Sequence, residues 1–249
     1  MEVVLVVPTY NERENLPILL ERISAQLPDA GVLIVDDNSP DGTGAVADEW
    51  TERKPGQVRA LHRNGKEGLG AAYVAGFRYA LDAWPEAQFF IQMDADLSHD
   101  PEYLLPMLEA VQEADVVIGS RYFEGGRVMN WPIHRLLISR MGTLYARLLT
   151  GLPCTDCTGG YKCFRREVLE SLDLNGIESN GYCFQIETNY RVWQLGYRMR
   201  DIPITFRERE NGRSKMSFGI ALEAVGVVTY IGLERLLRRR NVSTKSQHS

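Results

Sequence analysis

Phe89-Phe90-Ile91-Gln92-Met93-Asp94-Ala95-Asp96 decides how the rest of the chain is read. A mostly apolar run of strand length ends in two carboxylates spaced i, i+2. Both charges therefore fall at the carboxyl end of a buried strand, where open α/β sheets bind their ligands. Hard oxygen ligands at such a place suit Mg²⁺ or Mn²⁺ bridged to a diphosphate. A polar strand end with a turn carries the same short acidic pair, so its meaning depends on what surrounds it.

Working outward, Val3-Val4-Leu5-Val6-Val7 is a β-branched run closed by Pro8, and Val32-Leu33-Ile34-Val35 is a second, ending in Asp36-Asp37-Asn38-Ser39-Pro40-Asp41-Gly42-Thr43. Both are expected to be buried strands. Between them, Leu16, Leu19, Leu20, Ile23 and Leu27 recur at helical spacing. A helix to about Arg53, a short strand at 58–61, a helix over 68–84, a helix over 101–114 and a strand at Val116-Val117-Ile118-Gly119 continue the alternation. Strand and helix in turn over 1–120 predict a mostly parallel, doubly wound α/β sheet. Beyond 120 the pattern changes. Residues 131–149 are apolar but studded with Arg135, Arg140 and Arg147, extra strands are expected at 159–164 and 199–206, and 218–233 is apolar apart from Glu223. That last stretch is shorter than the roughly 20 apolar residues that cross a bilayer.

The chain has 249 residues, 44% of them hydrophobic and 24% charged, enough for one large globular domain with appendages. A net charge of −5 without a basic-aromatic strip excludes general nucleic-acid binding. Positive charge gathers at Arg235, Arg238, Arg239, Arg240 and Lys245. Cys154-Thr155-Asp156-Cys157 has the spacing of a metal knuckle, yet no second pair completes a zinc site, which favours structural thiols. Met1-Glu2 runs straight into a strand pattern without a basic leader, so a cytoplasmic chain with reduced thiols is expected.

Several loops carry chemistry. Pro8-Thr9-Tyr10-Asn11-Glu12 and Val35-Asp36-Asp37 offer an aromatic ring and carboxylates for a nucleobase and ribose, although Asn11 and Asp37 are also ordinary helix starters. Neither G-x-G-x-x-G nor G-x-x-x-x-G-K-[ST] follows a strand, which argues against a dinucleotide fold and a P-loop. Asn64-Gly65-Lys66-Glu67-Gly68-Leu69-Gly70 admits a close backbone approach to a ligand or to another helix alike. Arg121, at the end of the 116–119 strand, can pair with a phosphate. Arg135 and Ser139 share one helix face by their i, i+4 spacing and offer a second anion contact beside it. Arg209-Glu210-Asn211-Gly212-Arg213-Ser214-Lys215-Met216 is a cationic loop suited to closing on a diphosphate.

Taken in order, 6–12, 34–43, 93–99 and Arg209…Gly212…Ser214-Lys215-Met216 resemble family 2 glycosyltransferases of the dolichyl- or polyprenyl-phosphate mannose synthase type, over about 1–220. The resemblance implies a nucleotide-diphosphosugar transferase fold of the GT-A type, a three-layer α/β sandwich. It implies transfer of mannose, with inversion, from GDP-mannose to a polyprenyl phosphate. By motif, Pro8, Tyr10, Glu12, Val35 and Asp37 would hold the guanosine. Asp94, Ala95 and Asp96 would meet the diphosphate, with Asp94 and Asp96 on the Mg²⁺ or Mn²⁺. Arg209 and Lys215 would hold the diphosphate, and Arg121, Arg135 and Ser139 the acceptor phosphate; Asp96 and Arg121 are the expected catalytic residues. Some relatives place Gln two residues beyond the second Asp as a metal ligand, where this chain has Ser98.

The expected organisation is a catalytic domain over 1–216 with a membrane-interface helix at 131–150, an amphipathic or apolar helical segment over 217–240, and a disordered tail over 241–249. A lipid acceptor implies peripheral work at the cytoplasmic face of a membrane, with 131–149 and 218–240 on the bilayer, the second ending in arginines for anionic headgroups. The segment 218–234 fits equally well against the sheet or a partner, including a membrane protein. Transfer of glucose or an amino-arabinose to the same acceptor, a nucleotidyltransferase and a silent binding protein are the alternatives. The first-strand loop lacks the glycines and basic residues of a nucleotidyltransferase, and the retained acidic pair speaks against a silent protein.

Overall fold

A computed structural model describes residues 1–177, 179, 181–207 and 225–235. Within them, β1 (Val3–Thr9), β2 (Gly31–Asp36), β3 (Val58–His62), β4 (Phe89–Gln92), β5 (Val116–Ser120), β7 (Lys162–Arg165) and β8 (Met199–Pro203) form one sheet in the order β3-β2-β1-β4-β7-β5-β8. β6 (Arg127–Met129) and β9 (Thr205–Arg207) pair separately and in parallel. The helices are α1 (Asn15–Gln26), α2 (Thr43–Arg53), α3 (Leu69–Ala83), α4 (Leu104–Ala110), α5 (Ile133–Thr150), α6 (Arg166–Ser171) and α7 (Gly181–Gln194).

The strand runs form a sheet because each can bury both faces. Val4 and Val6 face one cluster with Leu33, Val35 and Phe90, while Leu5 and Val7 face another with Ile34 and Ile91. α3, α6 and α7 cover the first face, and α1, α2 and α4 the second. Three layers result, as expected. Gly76 lets α3 lie directly on the sheet: a Cβ there would sit 2.5 Å from Val6 Cγ1 and 2.9 Å from Val35 Cγ2. A Cβ at Gly70 would meet the Ser179 carbonyl, so this glycine serves close packing at the start of α3.

The strand expected at 159–164 is β7 at 162–165, and it runs antiparallel to both neighbours, β4 and β5. The expected strand over 199–206 divides into β8 and β9, which join different sheets. The helix expected over 101–114 is a 3₁₀ turn at 101–103 followed by the shorter α4.

Register and order place the site. Thr9 pairs with Asp36, Asp36 with His62, and Val6 with Gln92, so the loops after β1, β2, β3 and β4 open on one edge. The chain steps outward from β1 to β2 to β3 and then crosses back to lay β4 on the other side of β1. This reversal leaves a crevice at the carboxyl ends of β1 and β4, the place where doubly wound sheets take ligands.

The helix at 225–235 packs on α5 and α7. Tyr145 and Thr229 hydroxyls lie 2.7 Å apart, and the Arg235 guanidinium donates to the Leu149 carbonyl at 3.2 Å while standing 5.5 Å over the Trp193 ring. Val228 and Ile231 are buried, whereas Val225, Tyr230 and Leu233 stay exposed. The described part of this segment thus lies on two helices of the same chain, and not on the sheet. No helix among the described residues is long and apolar enough to cross a membrane.

Candidate active site

At the carboxyl end of β1, Pro8 is buried, and Thr9, the last strand residue, donates through Oγ1 to Asp36 Oδ1 at 2.9 Å. Asp36 also accepts from Ser39 N–H and Oγ, so it braces the two strand ends. Tyr10 is half-buried, with the Lys66 ammonium 4.1 Å over its ring. The Glu12 side chain accepts from Asn15 Nδ2, and its carbonyl accepts the Asn15 and Leu16 N–H groups that open α1. Val35 is buried in β2.

Asp37 follows, buried and held by Arg63 Nη1 at 2.5 Å, while Arg63 Nη2 reaches Glu67 at 2.6 Å. Burial pushes the Asp37 carboxyl above the usual carboxylate range, and Arg63 only partly offsets it. Arg63 is thus the buried counter-charge of Asp37, a partner the sequence did not offer. Asn11, Asn38 and Leu97 adopt φ of +61°, +56° and +62° in the loops that follow β1, β2 and β4. Such left-handed non-glycine residues are uncommon and gather at sites whose surroundings dictate the backbone.

The acidic pair closes β4. Asp94 is partly exposed; its Oδ1 accepts from the Tyr73 hydroxyl at 2.9 Å, and its N–H donates to His99 Nδ1 at 3.0 Å. Ala95 is buried between the carboxylates. Asp96, 5% exposed, accepts at Oδ1 from both Ser98 N–H (3.0 Å) and Ser98 Oγ (2.5 Å). Burial and the charge of Asp94 push the Tyr73 hydroxyl well above its ordinary value, so it stays a donor.

A divalent cation suits this donor set in its chemistry. Both side chains are hard oxygen donors, and beside Asp94 Oδ2 stands Gly160, whose missing Cβ would lie 3.7 Å away. Among the described residues no three His, Cys, Asp or Glu side chains converge on one point. The protein therefore supplies two carboxylates here, the number with which Mg²⁺-type sites complete themselves on substrate phosphates and water.

The second cluster grows from β5. Ser120 Oγ accepts from the Tyr122 and Phe123 N–H groups and turns the chain at the strand end. Arg121 follows, 6% exposed, its Nε and Nη2 donating to the two oxygens of Asp156 at 2.6 and 2.8 Å and its Nη2 also to Thr158 Oγ1. Burial alone would raise the Asp156 carboxyl, but the Arg121 charge and hydrogen bonds hold it below the usual range. The Arg121 guanidinium lies 5.5 Å from the rings of Trp131 and Phe206, and that of Arg135 lies 4.1 Å from Trp131. Tyr122 donates to Ser139 Oγ at 2.7 Å. Arg121 and Arg135 are therefore gathered around Trp131, and Ser139 joins them through Tyr122, whose ring also lies 5.3 Å from the Arg121 guanidinium. His99 stacks on Tyr161 and meets Phe206 edge-on, and Phe206 meets Trp131, so aromatic contacts join the acidic and basic clusters.

Cys154 and Cys157 are buried free thiols with sulfurs 3.6 Å apart, part of the loop that carries Asp156. Arg209 and Lys215 lie outside the described residues.

Residues 4–173 match the domain of glycosyl transferase family 2. The chain belongs to this family. Two relatives extend the likeness over nearly the whole length. The undecaprenyl-phosphate mannosyltransferase of Micrococcus luteus is 50% identical over 94% of this chain and 95% of its own length. The polyprenol monophosphomannose synthase of Mycolicibacterium smegmatis is 48% identical over 95% of this chain and 89% of its own. Among solved structures, this family 2 glycosyltransferase shares its fold with a mannosyltransferase of Pyrobaculum calidifontis in complex with GDP-Man and Mn²⁺ (TM-score 0.58, 17% identity, 92% of this chain and 69% of that one). It also shares it with glucosyl-3-phosphoglycerate synthase of Mycobacterium tuberculosis, solved with Mn²⁺, UDP-Glc and phosphoglyceric acid (TM-score 0.64, 15% identity, 92% and 79%). The expected GT-A sandwich is the fold of this glycosyltransferase.

Proposed function

We propose that the chain transfers mannose, with inversion, from GDP-mannose to a polyprenyl phosphate at a membrane surface. One observation carries the reading: the arginine cluster stands at the head of a helix whose outer face is bare and apolar. Ile133, Leu137, Met141, Leu144 and Leu148 recur at spacings of four, four, three and four along α5, and each is more than half exposed. A phosphate site joined to an apolar stripe fits an acceptor whose phosphate ends a hydrocarbon chain. The names of the two near-half-identical relatives point the same way.

The donor lies in the β1/β4 crevice, with its base between Tyr10 and Asp37 and its diphosphate over Asp94–Asp96. A Mg²⁺ or Mn²⁺ held by Asp94 and Asp96 would neutralise charge growing on the leaving diphosphate. Arg209 and Lys215 are assigned to the same diphosphate. Arg121, Arg135 and Ser139 hold the acceptor phosphate in line with the anomeric carbon, despite repulsion between the two anions. The acceptor oxygen attacks, the bond to the nucleoside diphosphate breaks, and the configuration inverts. A phosphate monoester has its second pKa near about 6, so it arrives ionised and requires no general base. The catalytic unit is 1–216, docking peripherally on the cytoplasmic face through α5.

The test offers radiolabelled GDP-mannose, UDP-glucose and UDP-N-acetylglucosamine with undecaprenyl phosphate and Mn²⁺. Label is expected in the organic phase from GDP-mannose. Transfer from UDP-glucose alone overturns the donor, and no transfer from any donor overturns the reaction.

A further inference from the structure

Tyr73 stands on α3, one turn from its start, with a wholly buried ring stacked on Phe184 at 5.7 Å and Phe77 at 5.9 Å. Its hydroxyl donates to Asp94 Oδ1 at 2.9 Å. The main chain of the same aspartate is fixed by its N–H bond to His99 Nδ1. Asp94 is thus clamped at its backbone and at one carboxylate oxygen, while Oδ2 faces Gly160, where a Cβ would lie 3.7 Å from it.

We infer that Tyr73 is a positioning residue for the divalent cation: by occupying Oδ1 it makes Asp94 a one-oxygen ligand, acting through Oδ2 beside Gly160. This rests on the metal reading proposed above. A carboxylate can bind a cation through one oxygen or two, and the larger Ca²⁺ readily takes two, whereas Mg²⁺ demands near-octahedral geometry from single oxygens. A hydrogen bond on one oxygen fixes the orientation of the carboxylate and biases it toward binding a cation through the other oxygen. Ser98 treats Asp96 in the same way, placing its N–H and hydroxyl on Oδ1. In this chain Ser98 therefore steers a ligand where some family members add one. The pair favours a small cation that keeps most of its coordination for phosphate oxygens and water.

Tyr73→Phe removes only the donor and keeps the stacking ring. Mn²⁺ binding to the full chain with GDP, read from the free-Mn²⁺ EPR signal, is expected to weaken by about 10- to 100-fold. Ca²⁺ should displace Mn²⁺ more easily than in the parent, and the thermal midpoint without metal should stay put. A purely structural tyrosine would shift that midpoint and leave the Ca²⁺/Mn²⁺ preference alone. Gly160→Ala is a second probe: its methyl would meet His99 and Gln185 at ordinary contact distances of 3.4 and 3.5 Å yet enter the space before Oδ2, and it should also weaken Mn²⁺. Tyr73→Phe with parental Mn²⁺ affinity and selectivity overturns the inference if Asp94→Asn still loses the metal. If Asp94→Asn and Asp96→Asn both keep full Mn²⁺ affinity, the metal reading itself falls and takes the inference with it.

Discussion

Asp156 shows how much of this site is set by residues that make no motif of their own. It sits between two buried cysteines, itself fully buried, and spends both oxygens on Arg121. The loop is held in turn by Thr155, whose N–H and hydroxyl donate to Asp201 on β8 and whose hydroxyl lies 2.7 Å from that of Ser120. Asp156→Asn keeps the shape but leaves the Arg121 charge buried without its counter-charge. Breaking a buried pair in this way costs about 3–5 kcal/mol, which a urea titration would register. With Arg121 assigned to the acceptor phosphate as proposed, the KM for polyprenyl phosphate should rise far more than the KM for GDP-mannose where the variant still folds, because the guanidinium loses the carboxylate that orients it. An equal rise in both would place Arg121 elsewhere. The acidic pair and Arg121 were legible in the sequence because each sits in a contiguous string after a recognisable strand. Tyr73, Arg63 and Asp156 were not, because their partners Asp94, Asp37 and Arg121 lie 21, 26 and 35 residues away and only the folded sheet brings them together. The Cys154–Cys157 spacing was read as structural thiols, and the two thiols are buried and free; what the sequence did not mark is the aspartate between them.

At the scale of elements, α5 presents faces of different chemistry. Thr143, Ala146 and Thr150 face inward and are buried, Arg135 and Ser139 meet the aromatic cluster, and the exposed apolar stripe looks away from the protein. The helix at 225–235 fastens the other end of α5, through Arg235 on the Leu149 carbonyl, where a cation meets the negative end of the helix dipole. An amphipathic helix binds a bilayer in proportion to the apolar area it sinks into the interface. Replacing Leu137 and Met141 together by Glu should therefore lower co-sedimentation with anionic vesicles by at least about tenfold. Transfer to a short, water-soluble prenyl phosphate should survive, since neither side chain reaches the arginines' aromatic cluster. Undiminished vesicle binding would move the docking surface off α5. The apolar run with its arginines was visible from sequence, as were the parallel strands of the first half, because burial on both faces writes itself as continuous Val, Leu and Ile. The direction of β7 was not: a four-residue strand carries no mark of its polarity, and its insertion between β4 and β5 is decided by the path the chain takes after α5.

Across the whole molecule, the sheet's centre holds one conspicuous cost, Lys162 on β7. It is fully buried, its ammonium reaching the Gln185 carbonyl at 3.2 Å, with Cys154, Cys157 and Asp156 as its electrostatic neighbours. Burial lowers its pKa from 10.5 to about 7. Between those two values the folded chain has released a proton that the unfolded chain still binds, so stability rises with pH above about 7 through this group. Below about 7 both states are protonated, and the cost of burying the charge is present in full. Lys162→Met should therefore stabilise the protein most at pH 6. Its advantage over the parent should shrink by roughly 1 kcal/mol per pH unit between pH 7 and 8.5. Above that range the buried thiols act in the opposite sense, since Cys154 and Cys163 are held protonated well beyond the ordinary value of 9.0 while unfolded thiols ionise. Chemical denaturation of parent and variant at pH 6, 7 and 8.5 decides the matter. Parallel stability profiles for the two proteins would mean that Lys162 keeps its proton throughout, with Asp156 and the Gln185 carbonyl supplying more compensation than burial removes.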